Sequence, residues 1–85
     1  MISAYLLARV KPGKDREVLA KLGRLRPVKN AVTLYGEYDI IAKLQVETLD
    51  DLDAFIFDTV RAIAGIDATT TLIATEIPAG LETRK

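Results

Sequence analysis

The chain opens on a strict alternation. Ile2, Ala4, Leu6, Ala8 and Val10 are all apolar, whereas Ser3, Tyr5, Leu7 and Arg9 between them are mixed. A period of two with one wholly apolar face predicts a β-strand over residues 2–10. Lys11-Pro12-Gly13 breaks it. From Lys14 the period lengthens: Val18, Leu19, Leu22 and Leu25 fall at helical spacing, with Asp15 and Glu17 suited to the first turn and Pro27 unable to continue the helix. Val28–Tyr35 is rich in β-branched residues, and Ile40, Ala42, Leu44 and Val46 alternate again, so both segments read as strands. Gly36-Glu37-Tyr38-Asp39 between them has the length of a hairpin link. Thr48 reads as a helix N-cap, with Asp51 in the capping-box position. Leu49, Leu52, Phe55, Ile56, Thr59, Val60 and Ile63 form the buried stripe of that helix, and Gly65 stops it. A last strand is predicted over Ala68–Ile77, closed by Pro78-Ala79-Gly80, with Leu81–Lys85 as a tail.

The order β-α-β-β-α-β predicts an α+β, ferredoxin-like fold: a four-stranded antiparallel sheet with two helices on one face, as a single domain over residues 1–80. If the even positions of the first strand face the helices, the other sheet face carries Tyr5, Leu7 and Arg9 beside Ile41, Lys43 and Gln45. Thr71, Ile73 and Thr75 of the last strand are assigned to the same face. Such a surface is too apolar for water and too polar for a core. It is expected to pack against a second subunit, sheet to sheet, with Tyr5, Leu7, Ile41 and Ile73 in the dimer interface.

Composition points the same way. An 85-residue chain that is 49% hydrophobic, with mean hydropathy +0.16, has more apolar surface than so small a domain hides alone. The chain has no Cys and no His, which removes disulfides, thiolate metal sites, the commonest general base and nearly all zinc sites. Ser3 is the only serine and lies in no nucleophile motif, and Gly13 is isolated, so no phosphate-binding glycine loop is present. Asp50, Asp51 and Asp53 sit where a helix N-terminus attracts acids. No enzyme, metal or cofactor is therefore expected. No apolar run approaches the roughly 20 residues of a membrane helix, and Met1–Tyr5 lacks a signal-peptide pattern, so a cytoplasmic protein is expected. Net charge is zero but uneven: residues 1–30 hold eight basic and two acidic side chains, the rest four basic and ten acidic. No aromatic residues interleave the basic ones, which favours opposed basic and acidic faces, within or between subunits, over nucleic-acid binding.

Two stretches carry candidate chemistry. Gly36-Glu37-Tyr38-Asp39 reads as a plain hairpin turn, or as a ligand loop whose backbone meets a carboxylate and whose acids meet an ammonium group. Thr69-Thr70-Thr71 displays hydroxyls on a strand of high β-propensity.

Tyr35-Gly36-Glu37-Tyr38-Asp39-Ile40-Ile41, between two strands and before an acidic helix, resembles the G-x-Y-D signature of the RAM domain, the effector-binding and oligomerisation domain of the Lrp/AsnC family. Ala4-Tyr5-Leu6-Leu7 ahead of Pro12-Gly13-Lys14 is similar to that domain's first strand and loop. Arg61–Ile66 followed by Thr69–Ile73 is similar to its last helix, glycine turn and Thr-rich strand. The resemblance spans residues 2–77. It implies an amino-acid effector bound between neighbouring dimers at Gly36, Glu37, Tyr38 and Asp39, with Thr70 and Thr71 as further ligand residues. Backbone groups around Gly36 would take the carboxylate, and Glu37 or Asp39 the ammonium. It also implies a homo-oligomer, a ring of dimers, with full-length regulators of the family as partners. Family regulators carry a helix-turn-helix before this domain, whereas this chain starts at the strand, so a stand-alone module without specific DNA binding is expected. Two alternatives share the topology: a dimeric α/β-barrel monooxygenase or isomerase, and a purely structural subunit. The absence of His and Trp and the single Asn30 count against the enzyme.

Overall fold

The computed structural model describes residues 1–75. Its elements are β1 (Ile2–Val10), α1 (Asp15–Gly23), β2 (Val28–Thr33), β3 (Ile40–Val46), α2 (Leu49–Ala54), which runs into a π-helical turn (Phe55–Val60), and β4 (Ile66–Ile73). The strands form one sheet in the order β2-β3-β1-β4, every neighbour antiparallel, which is the ferredoxin-like arrangement. Pro78-Ala79-Gly80, the tail Leu81–Lys85 and the end of the expected last strand lie outside the described residues.

The core rests on the alternation. Ala4, Leu6, Ala8 and Val10 of β1 and Ile40, Ala42, Leu44 and Val46 of β3 are buried on one face. The register sets Ala4 opposite Leu44, Leu6 opposite Ala42 and Ala8 opposite Ile40, so each small side chain faces a larger one. Val18 and Leu22 of α1 and Leu52, Phe55, Ile56 and Val60 of the second helical segment close over this floor in a single cluster. Thr48 caps α2 as expected: its backbone is extended and its Oγ1 accepts the Asp51 N–H at 3.0 Å.

Three details differ from the sequence pattern. The second helix does not stay α-helical to Ile63. The Arg61 N–H donates to the Ile56 carbonyl five residues back, at 3.0 Å, and Leu49, expected in the buried stripe, is instead exposed at the first residue of α2. β2 ends at Thr33 rather than Tyr35, giving a longer turn. The third difference concerns β4. Leu6 faces Thr71 and Ala4 faces Ile73, so Thr71 and Ile73 lie on the helix side, while Thr70 and Leu72, opposite Leu7 and Tyr5, lie on the open face. The placement of Thr71 and Ile73 on the open face is thereby corrected. Residues 69–73, Thr-Thr-Thr-Leu-Ile, have no polar/apolar alternation to declare a face, so the parity follows from pairing with β1 and not from the strand itself.

Gly65, between the π-helical turn and β4, has φ +102° and its carbonyl accepts the Lys11 N–H at 2.8 Å. A Cβ there would sit 3.1 Å from Val18 Cγ2 and 3.2 Å from Lys14 Cβ. Gly36, with φ +131°, has open space around it. Gly36→Ala is expected to cost about 1–2 kcal/mol of backbone strain. Gly65→Ala adds crowding of roughly 1–3 kcal/mol to the same strain. Thermal unfolding should show Gly65→Ala melting well below Gly36→Ala; equal Tm values would contradict the close packing of Gly65 on α1.

Candidate functional site

Antiparallel pairing brings the turn between β2 and β3 beside the end of β1 and the start of β4. The ladder closes with the Leu34 N–H donating to the Asp39 carbonyl at 2.8 Å, and the Asp39 N–H to the Ala8 carbonyl at 2.9 Å. β1 is irregular in its pairing with β4 at Arg9/Val10. There the Asp39 carboxylate accepts the Val10 N–H at 2.8 Å. A part-buried carboxylate-to-amide bond of this kind satisfies a donor that the ladder leaves free.

Arg9 organises the outer side of the turn. Its Nε donates to the Glu37 carbonyl at 3.1 Å, its guanidinium lies 3.6 Å from the Glu37 carboxylate, and its Cζ sits 5.4 Å from the Tyr38 ring centroid. Tyr38 in turn shares a 2.9 Å hydrogen bond with Thr70 Oγ1 on β4. Of the residues singled out from the sequence, Tyr38, Asp39 and Thr70 are thus built into one network, Glu37 is exposed beside it, and Gly36 leaves its backbone open. Thr71 lies apart from them, on the other face of the sheet.

Thr71 lines a groove of about 540 Å³ between the π-helical turn and β4. Ile56 and Ile66 supply its apolar wall; Arg61, Asp67, Thr69 and Thr71 supply polar groups. Arg61 is held over the Phe57 ring at 5.1 Å, and Asp67 pairs with Lys11 Nζ at 2.7 Å. The groove therefore sets a guanidinium, a carboxylate and two hydroxyls beside the apolar side chains of Ile56 and Ile66, a combination that can meet a zwitterion with a side chain. Sequence reasoning did not single out Arg9, Phe57, Arg61 or Asp67 for this pole. The Phe57–Arg61 spacing of four was a usable signal for a stacked pair; the approach of Arg9 to the turn depends on strand pairing and had none.

The Asp39 bond generates a prediction. Asp39→Ala should leave the Val10 N–H without its acceptor and lower stability by about 1–3 kcal/mol. Asp39→Asn, which keeps an acceptor oxygen, should recover much of the loss. Melting curves of the two variants decide it; an Asp39→Ala protein as stable as wild type would refute the bracing role.

Comparison with known proteins agrees with this architecture. Residues 3–80 match the family model for the Lrp/AsnC ligand binding domain. The HTH-type transcriptional regulator FL11 of Pyrococcus furiosus is 32% identical over 76 residues, covering 89% of this chain and 50% of the regulator. The chain spans about half the length of the curated relatives it matches. Among solved structures, that of FFRP-DM1 superposes with a TM-score of 0.86 at 44% identity, covering 88% of this chain and 100% of the other. The hypothetical protein PHS023 from Pyrococcus horikoshii gives 0.83 at 40% identity, with 100% of both chains covered.

Proposed function

Because the chain belongs to the Lrp/AsnC ligand-binding domain family, we propose that it is a regulatory module that binds a free amino acid and oligomerises. The observation that carries this reading is the groove between the π-helical turn and β4, where Arg61, Thr69, Thr71 and Asp67 stand beside Ile56 and Ile66. Arg61, already fixed by Phe57, takes the ligand carboxylate; Asp67 and the threonine hydroxyls take the ammonium; Ile56 and Ile66 receive the side chain. The turn acts at the same pole. Gly36 backbone and the exposed Glu37 face whatever a neighbouring copy brings, while Asp39, Tyr38 and Thr70 hold the turn's shape. Regulation follows by partnership with full-length regulators of the family, whose own ligand-binding domains have this fold.

Dimerisation is proposed through the open face of the sheet, where Leu7 lies between Ile41 and Thr70, and Tyr5 lies between Lys43 and Leu72. Tyr5 and Leu72 are exposed there in a single copy. Val32 and Asn30 of β2 extend the same rows. A pair of such faces buries apolar surface that water otherwise contacts, the contribution being about 25 cal/mol per Å².

Two measurements test the proposal. Titration calorimetry with each of the twenty amino acids should find at least one ligand, and Arg61→Ala should weaken it by about 1.5–3 kcal/mol, a loss of roughly 10- to 100-fold. No binding by any amino acid would leave a structural subunit as the better reading. Separately, Leu7→Lys with Ile41→Lys should break the open-face dimer, lowering the mass measured by light scattering; an unchanged mass would exclude that interface.

A further inference from the structure

The groove between the π-helical turn and β4 does not end where its polar groups end. A second cavity, of about 270 Å³, follows the same segment and is lined by Leu52, Asp53, Ile56, Phe57, Thr71 and Ile73. Ile56, Phe57 and Thr71 line both, so the two are consecutive reaches of one trough. Its walls are two rows. On the helical side Asp53, Phe57 and Arg61 follow one another four residues apart, about one turn each. On the strand side Thr69, Thr71 and Ile73 lie opposite Ala8, Leu6 and Ala4 of β1, so they share the helix-facing side of β4 at spacings of about 7 Å.

The two ends of the trough differ in chemistry. Arg61 stands at one end with Asp67 and Thr69: a cation, an anion and a hydroxyl. Ile56 and the 60% exposed Phe57 form the middle. At the other end Leu52 and Ile73 stand beside one charged side chain, Asp53, which is exposed and in no ion pair among the described residues.

That carboxylate governs what the far end accepts. An apolar group laid against it takes water from an ion and replaces nothing, whereas a cation gives it a charge-assisted hydrogen bond. The spacing sets the length. Eight residues of helix separate Asp53 from Arg61, a rise of at most about 12 Å. A contact of about 2.8 Å at each end leaves about 6 Å for the ligand. A stem of four methylene groups carrying an ammonium spans about 6 Å at roughly 1.2 Å per bond.

We propose, building on the reading of the groove as an amino-acid site, that the trough selects a lysine- or ornithine-type diamino acid, with Asp53 as the specificity-determining residue. The α-carboxylate sits on Arg61, and the α-ammonium on Asp67 and the threonine hydroxyls. The aliphatic stem crosses Ile56 and Phe57, and the terminal ammonium reaches Asp53. Leu52 and Ile73 shelter that last pair from water, which strengthens it.

Titration calorimetry on the full chain with lysine, ornithine and norleucine tests this, because norleucine has the lysine stem without the ammonium. Lysine or ornithine should bind roughly 10- to 100-fold tighter than norleucine, the factor that a charge-assisted hydrogen bond supplies. Asp53→Asn should erase that margin, and Asp53→Glu, which keeps the charge, should retain it. Arg61→Ala should weaken all three ligands alike. The wild-type comparison needs no variant and decides the ligand class even where Asp53→Asn does not fold. Norleucine bound as tightly as lysine, and weakened by Arg61→Ala, overturns the diamino-acid assignment while the amino-acid site stands. A lysine margin that survives Asp53→Asn overturns the role of Asp53. Failure of all three to bind, while another amino acid binds through Arg61, overturns the ligand class alone; failure of every amino acid overturns the site itself.

Discussion

The whole fold depends on how β1 faces β3. On the buried face three successive pairs set an alanine against a larger aliphatic side chain, and the helices close over this floor in a single cluster. A slip of β1 by one residue would turn Tyr5 and Arg9 into the core and lift Leu6 into water. Truncating a fully buried leucine in such a floor typically costs 2–5 kcal/mol, a large share of the stability of a domain this small. The register is consequently locked, and everything at the functional pole inherits its position from it.

That pole is where β1 stops behaving regularly. At Arg9/Val10 the pairing with β4 shifts, and the backbone groups freed from the ladder find other partners: the Val10 N–H meets the Asp39 carboxylate and the Lys11 N–H meets the Gly65 carbonyl. One irregularity therefore ties the turn after β2 and the entry to β4 to the same strand end. Arg9 contributes there less through its ion pair, which is exposed and worth at most about 1 kcal/mol, than through its bond to the Glu37 carbonyl and its stacking on Tyr38. The groove on the opposite face is also a product of irregular backbone. Phe57 and Arg61, within and just after the π-helical turn, are exposed and line the groove together with Ile66, Thr69 and Thr71 of β4.

Two faces of one small sheet thus differ in character. The open face is a mixture of apolar and polar side chains. The helix face carries a groove of about 540 Å³ lined by Arg61, Asp67, Thr69 and Thr71. Belonging to a family of ligand-binding regulatory domains is consistent with such a division, because a domain that reports a ligand must couple a pocket to its contacts with other chains.

The sequence by itself determined the order of elements, the buried faces of β1 and β3, the Thr48 cap and the turn at residues 36–39. Each follows from local rules: a period of two, a helical period, a hydroxyl before a helix, a glycine between strands. Family resemblance was legible too, because its motifs are contiguous. Tertiary structure alone decided the face of Thr70 and Thr71, the use of Asp39 as a brace and the meeting of Arg9 with Tyr38. It also decided that α1 and the acidic segment stand side by side with no ion pair between them among the described residues. All of these depend on which residue of a distant strand lies opposite, and a strand without alternation, such as Thr69–Ile73, holds no record of that choice. The parity of β4 is written in its hydrogen bonds to β1, and those exist only once the chain has folded.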